Sequence, residues 1–155
     1  MNGFRIRGLP AQRFAHLFAL DDAQLATHSA RRMIARETGF PCRISLTDAA
    51  AGDPVILVNY EHHPVDTPFR SSFAIYVREG ETTFDAVNDV PAQLRKRLLS
   101  LRGYDREGML RTADVVDGQR LEPGIEAIFA NEEVAYIHAH FAKPGCYAAL
   151  IERAG

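Results

Sequence analysis

Only two cysteines, Cys42 and Cys146, occur in the 155 residues, and they stand far apart in the chain. Two is too few for a disulfide scaffold, and no C-x-x-C spacing marks a redox motif. Nor does any apolar run approach the length needed to cross a bilayer. The N-terminal M-N-G-F-R-I-R-G-L-P-A-Q-R-F-A-H-L-F-A-L scatters basic residues among its apolar ones, so it has no uninterrupted core for a secretory signal. The expectation is a cytoplasmic protein with free thiols and no membrane partner. An excess of charge of one sign is missing too: 18 Lys and Arg stand against 20 Asp and Glu, a formal net charge of -2. With no basic arm, helix-turn-helix signal or RNA-binding aromatic motif, nucleic acid is not an expected partner. The chain also lacks a Gly-rich phosphate loop, a G-x-S-x-G elbow and an H-E-x-x-H motif. Nucleotide hydrolysis, serine esterase chemistry and zinc proteolysis therefore have no support. No segment repeats, and none is of low complexity.

What is present is ordinary. Apolar residues make up 46% and charged residues 25%, as in soluble globular proteins. At this length one domain, 1 to 155, buries roughly 68–70% of its unfolded surface without disulfides or metals. Phe4 to Arg7 alternates and predicts a short strand that Gly8 ends. Pro10 suits the first turn of a helix carrying Phe14, Leu17 and Phe18. Asp21 or Asp22 can cap a second helix through Leu25, whereas 30 to 37 fits helix and strand equally well. Cys42 to Thr47 alternates as a half-buried strand, and Val55 to Tyr60 is a run typical of a central strand. The two are expected to pair as an antiparallel hairpin.

The stretch 61 to 72, E-H-H-P-V-D-T-P-F-R-S-S, has two prolines and no period, which predicts a long surface loop; loops of that length are often functional. Phe73 to Arg78 is a further strand. Asp89 can cap a helix entered at Pro91, with Leu94, Leu98 and Leu101 on one face. Leu101 to Asp105 and Met109 to Val116 flank the turn residues 106 to 108, and a last helix from Pro123 buries Ile125, Ile128 and Phe129. Lys143-Pro144-Gly145 closes a final hairpin. Strands that come as hairpins, without regular crossover helices, predict an α+β fold: one largely antiparallel sheet with a few short helices packed on one side.

The densest set of reactive side chains lies in that final hairpin. Alternation puts Tyr136, His138 and His140 on one face and Ile137, Ala139 and Phe141 on the other. Two imidazoles on one strand face can chelate an ion if Cys146, His62 or Glu61 supplies a third ligand. The spacing resembles the His-x-His pair of cupin barrels, but the nearby downstream Glu of those sites is absent. No metal is favoured, and no cofactor is indicated. His62 and His63 are adjacent, so in an extended chain they point apart and only one can join such a site. Cys146 beside two histidines is the minimum for nucleophilic catalysis, although a small buried Cys behaves as a hydrophobe. If the strands of Cys42 and Cys146 are neighbours, their thiols can form a redox-responsive pair.

The arginines complete the picture. Arg43 alternates away from Cys42 and Ile44, Arg70 lies in the irregular loop, and Arg102 precedes Tyr104 in a strand. With the histidines they can form a cationic hollow for a carboxylate or phosphate, because guanidinium groups bind such anions through paired hydrogen bonds; otherwise each is spent in a structural ion pair. The expected site is then Arg43, Arg70, Arg102, Tyr104, His138 and His140, with Cys146 at its edge and loop 61 to 72 closing over it. A histidine titrating near neutrality can act there as acid or base. The expected function is binding of a small anionic molecule. A metal-dependent enzyme using His138 and His140, and a structural or interaction domain, are the alternatives; oligomeric state is not legible.

The order G-F-P-C-R-I-S-L (39 to 46), P-F-R-S-S-F-A-I-Y-V-R-E (68 to 79), L-R-G-Y-D (101 to 105) and H-A-H-F-A-K-P-G-C (138 to 146) resembles a bacterial family catalogued as domain of unknown function 1203, DUF1203. The likeness covers nearly the whole chain. It implies a single domain in a bacterial cytosolic setting, and it brings no reaction, cofactor or site residue with it.

Overall fold

Alternation decides the first element of the structure, a computed structural model that describes residues 3–155. In β1 (Phe4–Arg7) the aromatic and aliphatic side chains are buried and the arginines half-buried. Gly8 ends the strand, and Pro10 opens two 3-10 turns, Ala11–Arg13 and Ala15–Ala19, that bury Leu17. Helix α1 (Asp22–Thr27) begins at a capping box. The Asp21 carboxylate accepts from the Gln24 N–H at 2.8 Å, and the Gln24 side chain accepts from the Asp21 N–H at 2.9 Å. Asp21→Ala is therefore expected to cost about 1 kcal/mol, read as a lowered urea midpoint at unchanged slope.

The undecided segment after α1 is a strand, β2 (Ala30–Ile34), because it pairs along β5 (Pro54–His63). Cys42 to Thr47, by contrast, is not a strand and does not pair with β5. It is an irregular turn between the two-residue strands β3 (Phe40–Pro41) and β4 (Asp48–Ala49). Its backbone hydrogen bonds go to separate segments. The Leu9 N–H donates to Arg43 O, the Phe84 N–H to Ile44 O, and the Arg43 N–H to Tyr76 O. Leu46 takes a φ of 56°. Cys42, Arg43, Ile44 and Leu46 are all buried, so both parities of the alternation point inward. The central strand reads as expected but runs on through His63, and β6 (Ser71–Val77) starts early, which shortens the expected loop to 64–70.

After β7 (Asp85–Val87), the expected leucine-faced helix reduces to one turn, α2 (Ala92–Arg95), entered at Pro91 without a side-chain cap. Leu98 and Leu101 lie instead in β8 (Leu98–Tyr104), because pairing on both edges, with β9 (Leu110–Asp117) and β10 (Tyr136–Phe141), outweighs the helical spacing. The turn at 106–108 and the closing hairpin of β10 with β11 (Tyr147–Arg153) follow the expectation, and helix α3 (Leu121–Phe129) buries the expected side chains but starts two residues before Pro123.

The architecture is α+β. A six-stranded antiparallel sheet, in the order β7-β1-β11-β10-β8-β9, stands beside a three-stranded sheet, β2-β5-β6. Helix α3 lies on β8 and β9 and buries Leu121, Ile125, Ile128 and Phe129 against Leu99, Leu101, Ile137 and Ile151. Each of those helix side chains stabilises the fold by roughly 1.5–3 kcal/mol. A second core joins the three-stranded sheet to the N-terminal turns through Phe14, Leu17, Leu25, Val58 and Ile75. Neighbouring residues at the start of β11 belong to different cores, Cys146 to the first and Tyr147 to the second. Among the described residues, no helix is long and apolar enough to cross a membrane.

Candidate functional site

The sheet face opposite α3 carries the histidines. The register of β10 on β8 sets Tyr136 against Tyr104, His138 against Arg102 and His140 against Ser100, so these side chains share that face. The end of β5 covers them. Its pairing with β6 slips between Glu61 and His63, and such a bulge re-aims side chains. Both consecutive histidines therefore reach the cluster, contrary to the expectation that only one can. The His62 ring centroid is 5.1 Å from that of His140, and the His63 centroid is 5.0 Å from that of His138.

Hydrogen bonds orient two of the rings. His63 Nδ1 lies 2.9 Å from Phe69 O; a carbonyl only accepts, so Nδ1 carries a proton, and Nε2 is hydrogen-bonded to the Tyr136 hydroxyl at 2.7 Å. His140 Nδ1–H donates to Gly145 O at 3.0 Å. His140 Nε2, His62 Nδ1 and His138 Nδ1 are buried without a partner. Burial, helped by the neighbouring imidazoles and the Arg102 charge, pushes His138 down to about 2 and His62 to about 4. Burial also takes His140 to about 3, against the opposing bond to Gly145. These rings are neutral at physiological pH, which corrects the expectation of a titration near neutrality in His138 or His140. Burial raises Tyr104, and it pushes Tyr136 up to about 12. Arg102 donates to Ser100 Oγ at 3.3 Å. Among the described residues, no three His, Cys, Asp or Glu side chains are arranged to hold a metal ion.

Arg43 and Cys146 belong elsewhere, to a cleft of about 550 Å³ between the β10–β11 turn and the three-stranded sheet. Leu57, Phe73, Tyr76, Leu98 and Phe141 supply its apolar walls, and Arg43, Lys96, Arg97 and Lys143 its charge. Arg43 is only 1% exposed. Its guanidinium donates to Tyr147 O at 2.7 Å, to Pro41 O at 2.6 Å and to Cys146 Sγ at 2.9 Å, and it stands 4.9 Å from the Phe141 ring centroid. Burial lowers its pKa, opposed by Cys146 and reinforced by Arg97. No carboxylate among the described residues pairs with Arg43 or Lys143. Asp48 takes both Lys96 and Arg97 at 3.0 Å. Burial pushes its carboxyl up, but the hydrogen bonds from Arg97 and Lys96 outweigh this and hold it below the usual carboxylate range.

The residues expected to share one hollow thus divide. Arg102, Tyr104, His138 and His140 form the aromatic and imidazole cluster, Arg43 and Cys146 floor the cleft, and Arg70 turns back on its own loop, donating to Val65 O at 2.9 Å with Asp66 at 3.9 Å. Cys42 and Cys146 are both free thiols. A further cavity of about 530 Å³ adjoins the cluster between β1 and the end of β5, lined in part by Arg7, Arg13, Tyr60, His62 and His138. Arg7 and Arg13 were not singled out in the sequence; the usable signal for Arg7 was parity, since F-R-I-R turns its arginines away from the core. A family model described as a protein of unknown function, DUF1203, matches residues 39–153. No curated protein and no solved structure matches the chain.

Proposed function

Because the chain belongs to the DUF1203 family, whose description carries no activity, we propose from its own residues that it binds an amphipathic organic anion in the cationic cleft. The observation that carries the reading is Arg43, a fully buried guanidinium with no carboxylate partner among the described residues. Burying an unpaired charge costs several kcal/mol even after relaxation, and two carbonyls and a sulfur offset only part of it. An anion in the cleft completes the compensation. Three of the guanidinium's five N–H donors are engaged; Lys96 and Arg97 share one acid, Asp48, and Lys143 has none among the described residues. The apolar walls select for the rest of the ligand, an alkyl or aryl body with a carboxylate or phosphate head. The volume lies within the range of small-molecule sites.

A melting-temperature screen with alkyl and aryl carboxylates and phosphates tests this. A ligand at one hundred times its Kd adds about 2.7 kcal/mol, roughly 5–10 °C for a domain of this size. Lys143 is exposed, so Lys143→Glu is expected to leave the fold intact and weaken binding about tenfold. A screen in which no such anion raises the melting temperature refutes the reading.

A further inference from the structure

We propose that the cavity between β1 and the histidine cluster is a second, separate binding site, for a small hydroxylated anion such as a sugar acid or sugar phosphate. Three of the residues that line it, Arg7, His62 and His138, each carry a buried polar atom with no partner: Arg7 Nε, His62 Nδ1 and His138 Nδ1. The large majority of buried side-chain polar atoms in native proteins are paired. Half of the six such orphans among the described residues are gathered here. His138 is 6% exposed, so its Nδ1 depends for a partner on what occupies the cavity, and a ligand hydroxyl there supplies one.

The charges around the cavity fix one end of that ligand. Arg7 is paired with Glu152, and Asp85 with Arg5. Arg13 has no acidic partner among the described residues and donates only to the Tyr60 hydroxyl. One uncompensated guanidinium at the mouth takes an oxyanion. The other end meets imidazoles that burial keeps uncharged; a neutral ring offers one donor and one acceptor, the complement of a hydroxyl group and not of a second anion. Gln12 and Thr83 extend the polar lining, which sets this cavity apart from the apolar cleft.

The test is calorimetric titration of the whole protein near neutral pH with gluconate, with glucose 6-phosphate and, as the apolar comparison, with hexanoate. Binding of either hydroxylated anion is expected, the pair distinguishing a carboxylate from a phosphate head. Arg13→Gln, at an exposed position, is expected to weaken that binding about tenfold, the loss of one charge-assisted hydrogen bond. His138→Phe is expected to abolish it while raising the melting temperature of the free protein, since an orphan nitrogen is replaced by a ring carbon. The proposal is overturned if neither hydroxylated anion binds, if binding survives both substitutions, or if Lys143→Glu removes it instead, which places the anion in the cleft.

Discussion

Acidification to about pH 5 is expected to remove roughly 5 kcal/mol of stability. In the unfolded chain each histidine titrates near 6.5, whereas burial holds His62, His138 and His140 at about 4, 2 and 3 in the fold. Between those limits the unfolded state binds protons that the native state refuses, so stability is complete above 6.5 and falls as the pH drops below it. At about pH 5 a fully buried neutral histidine contributes about 2 kcal/mol to that loss; His62, partly exposed, is taken at half weight because solvent screens it. The sum is a large fraction of the 5–15 kcal/mol that holds an ordinary domain together. Urea midpoints measured from neutral pH to about pH 5 check it, and His138→Phe is expected to flatten the profile by one histidine's share, about 2 kcal/mol. A stability unchanged across that interval contradicts the buried, uncharged cluster.

Gly8→Ala is expected to cost about 4 kcal/mol or more, at the upper end of single-substitution effects. A Cβ at this position would stand 2.0 Å from Ile44 O and 3.0 Å from Arg43 O. Both are backbone atoms, so no side chain can rotate out of the way. The neighbourhood is stitched from three sides: Gly8 N–H donates to Phe84 O, Leu9 N–H to Arg43 O and Phe84 N–H to Ile44 O, all within 2.8–2.9 Å. Relief requires the Arg43–Ile44 turn to withdraw and break at least two of these bonds, each worth about 1 kcal/mol net. The same withdrawal lifts Arg43 off Tyr147 and Cys146, so anion affinity in the cleft is expected to fall with stability. A loss below about 1 kcal/mol in denaturant titration would mean that the turn yields freely.

That turn has no counterpart in the local sequence pattern. The closing hairpin was legible because Ile137, Ala139 and Phe141 alternate with Tyr136, His138 and His140, and one set meets a core while the other meets a polar face. The hairpin of β8 and β9 and the apolar stripe of α3 were legible for the same reason, a period that matches burial. Cys42 to Thr47 has the right period for a strand, yet its backbone partners come from segments around 9, 76 and 84, pairings that no local pattern encodes. Leu94, Leu98 and Leu101 fit a helix and a strand with one slip, and only the strands flanking β8 decide between them. At the site, Arg43 looked outward by alternation and is the most buried cation of the cleft. His62 and His63 looked opposed by alternation, and the bulge in β5 brings both to the cluster. Arg70 lies in the loop expected to close over the sheet face, and its bond to Val65 and its ion pair with Asp66 hold it to that loop instead.

Cys146 and Tyr147 are the two sides of a partition one residue thick: the thiol borders the cationic cleft, the phenol ring borders the polar cavity, and Arg43 is bonded to both residues. Replacing Cys146 removes one of the Arg43 bonds, whereas the bond to Tyr147 runs through its backbone carbonyl and outlasts a change of side chain. Substitutions at the far walls, Lys143 on one side and Arg13 on the other, are what tell the occupants apart.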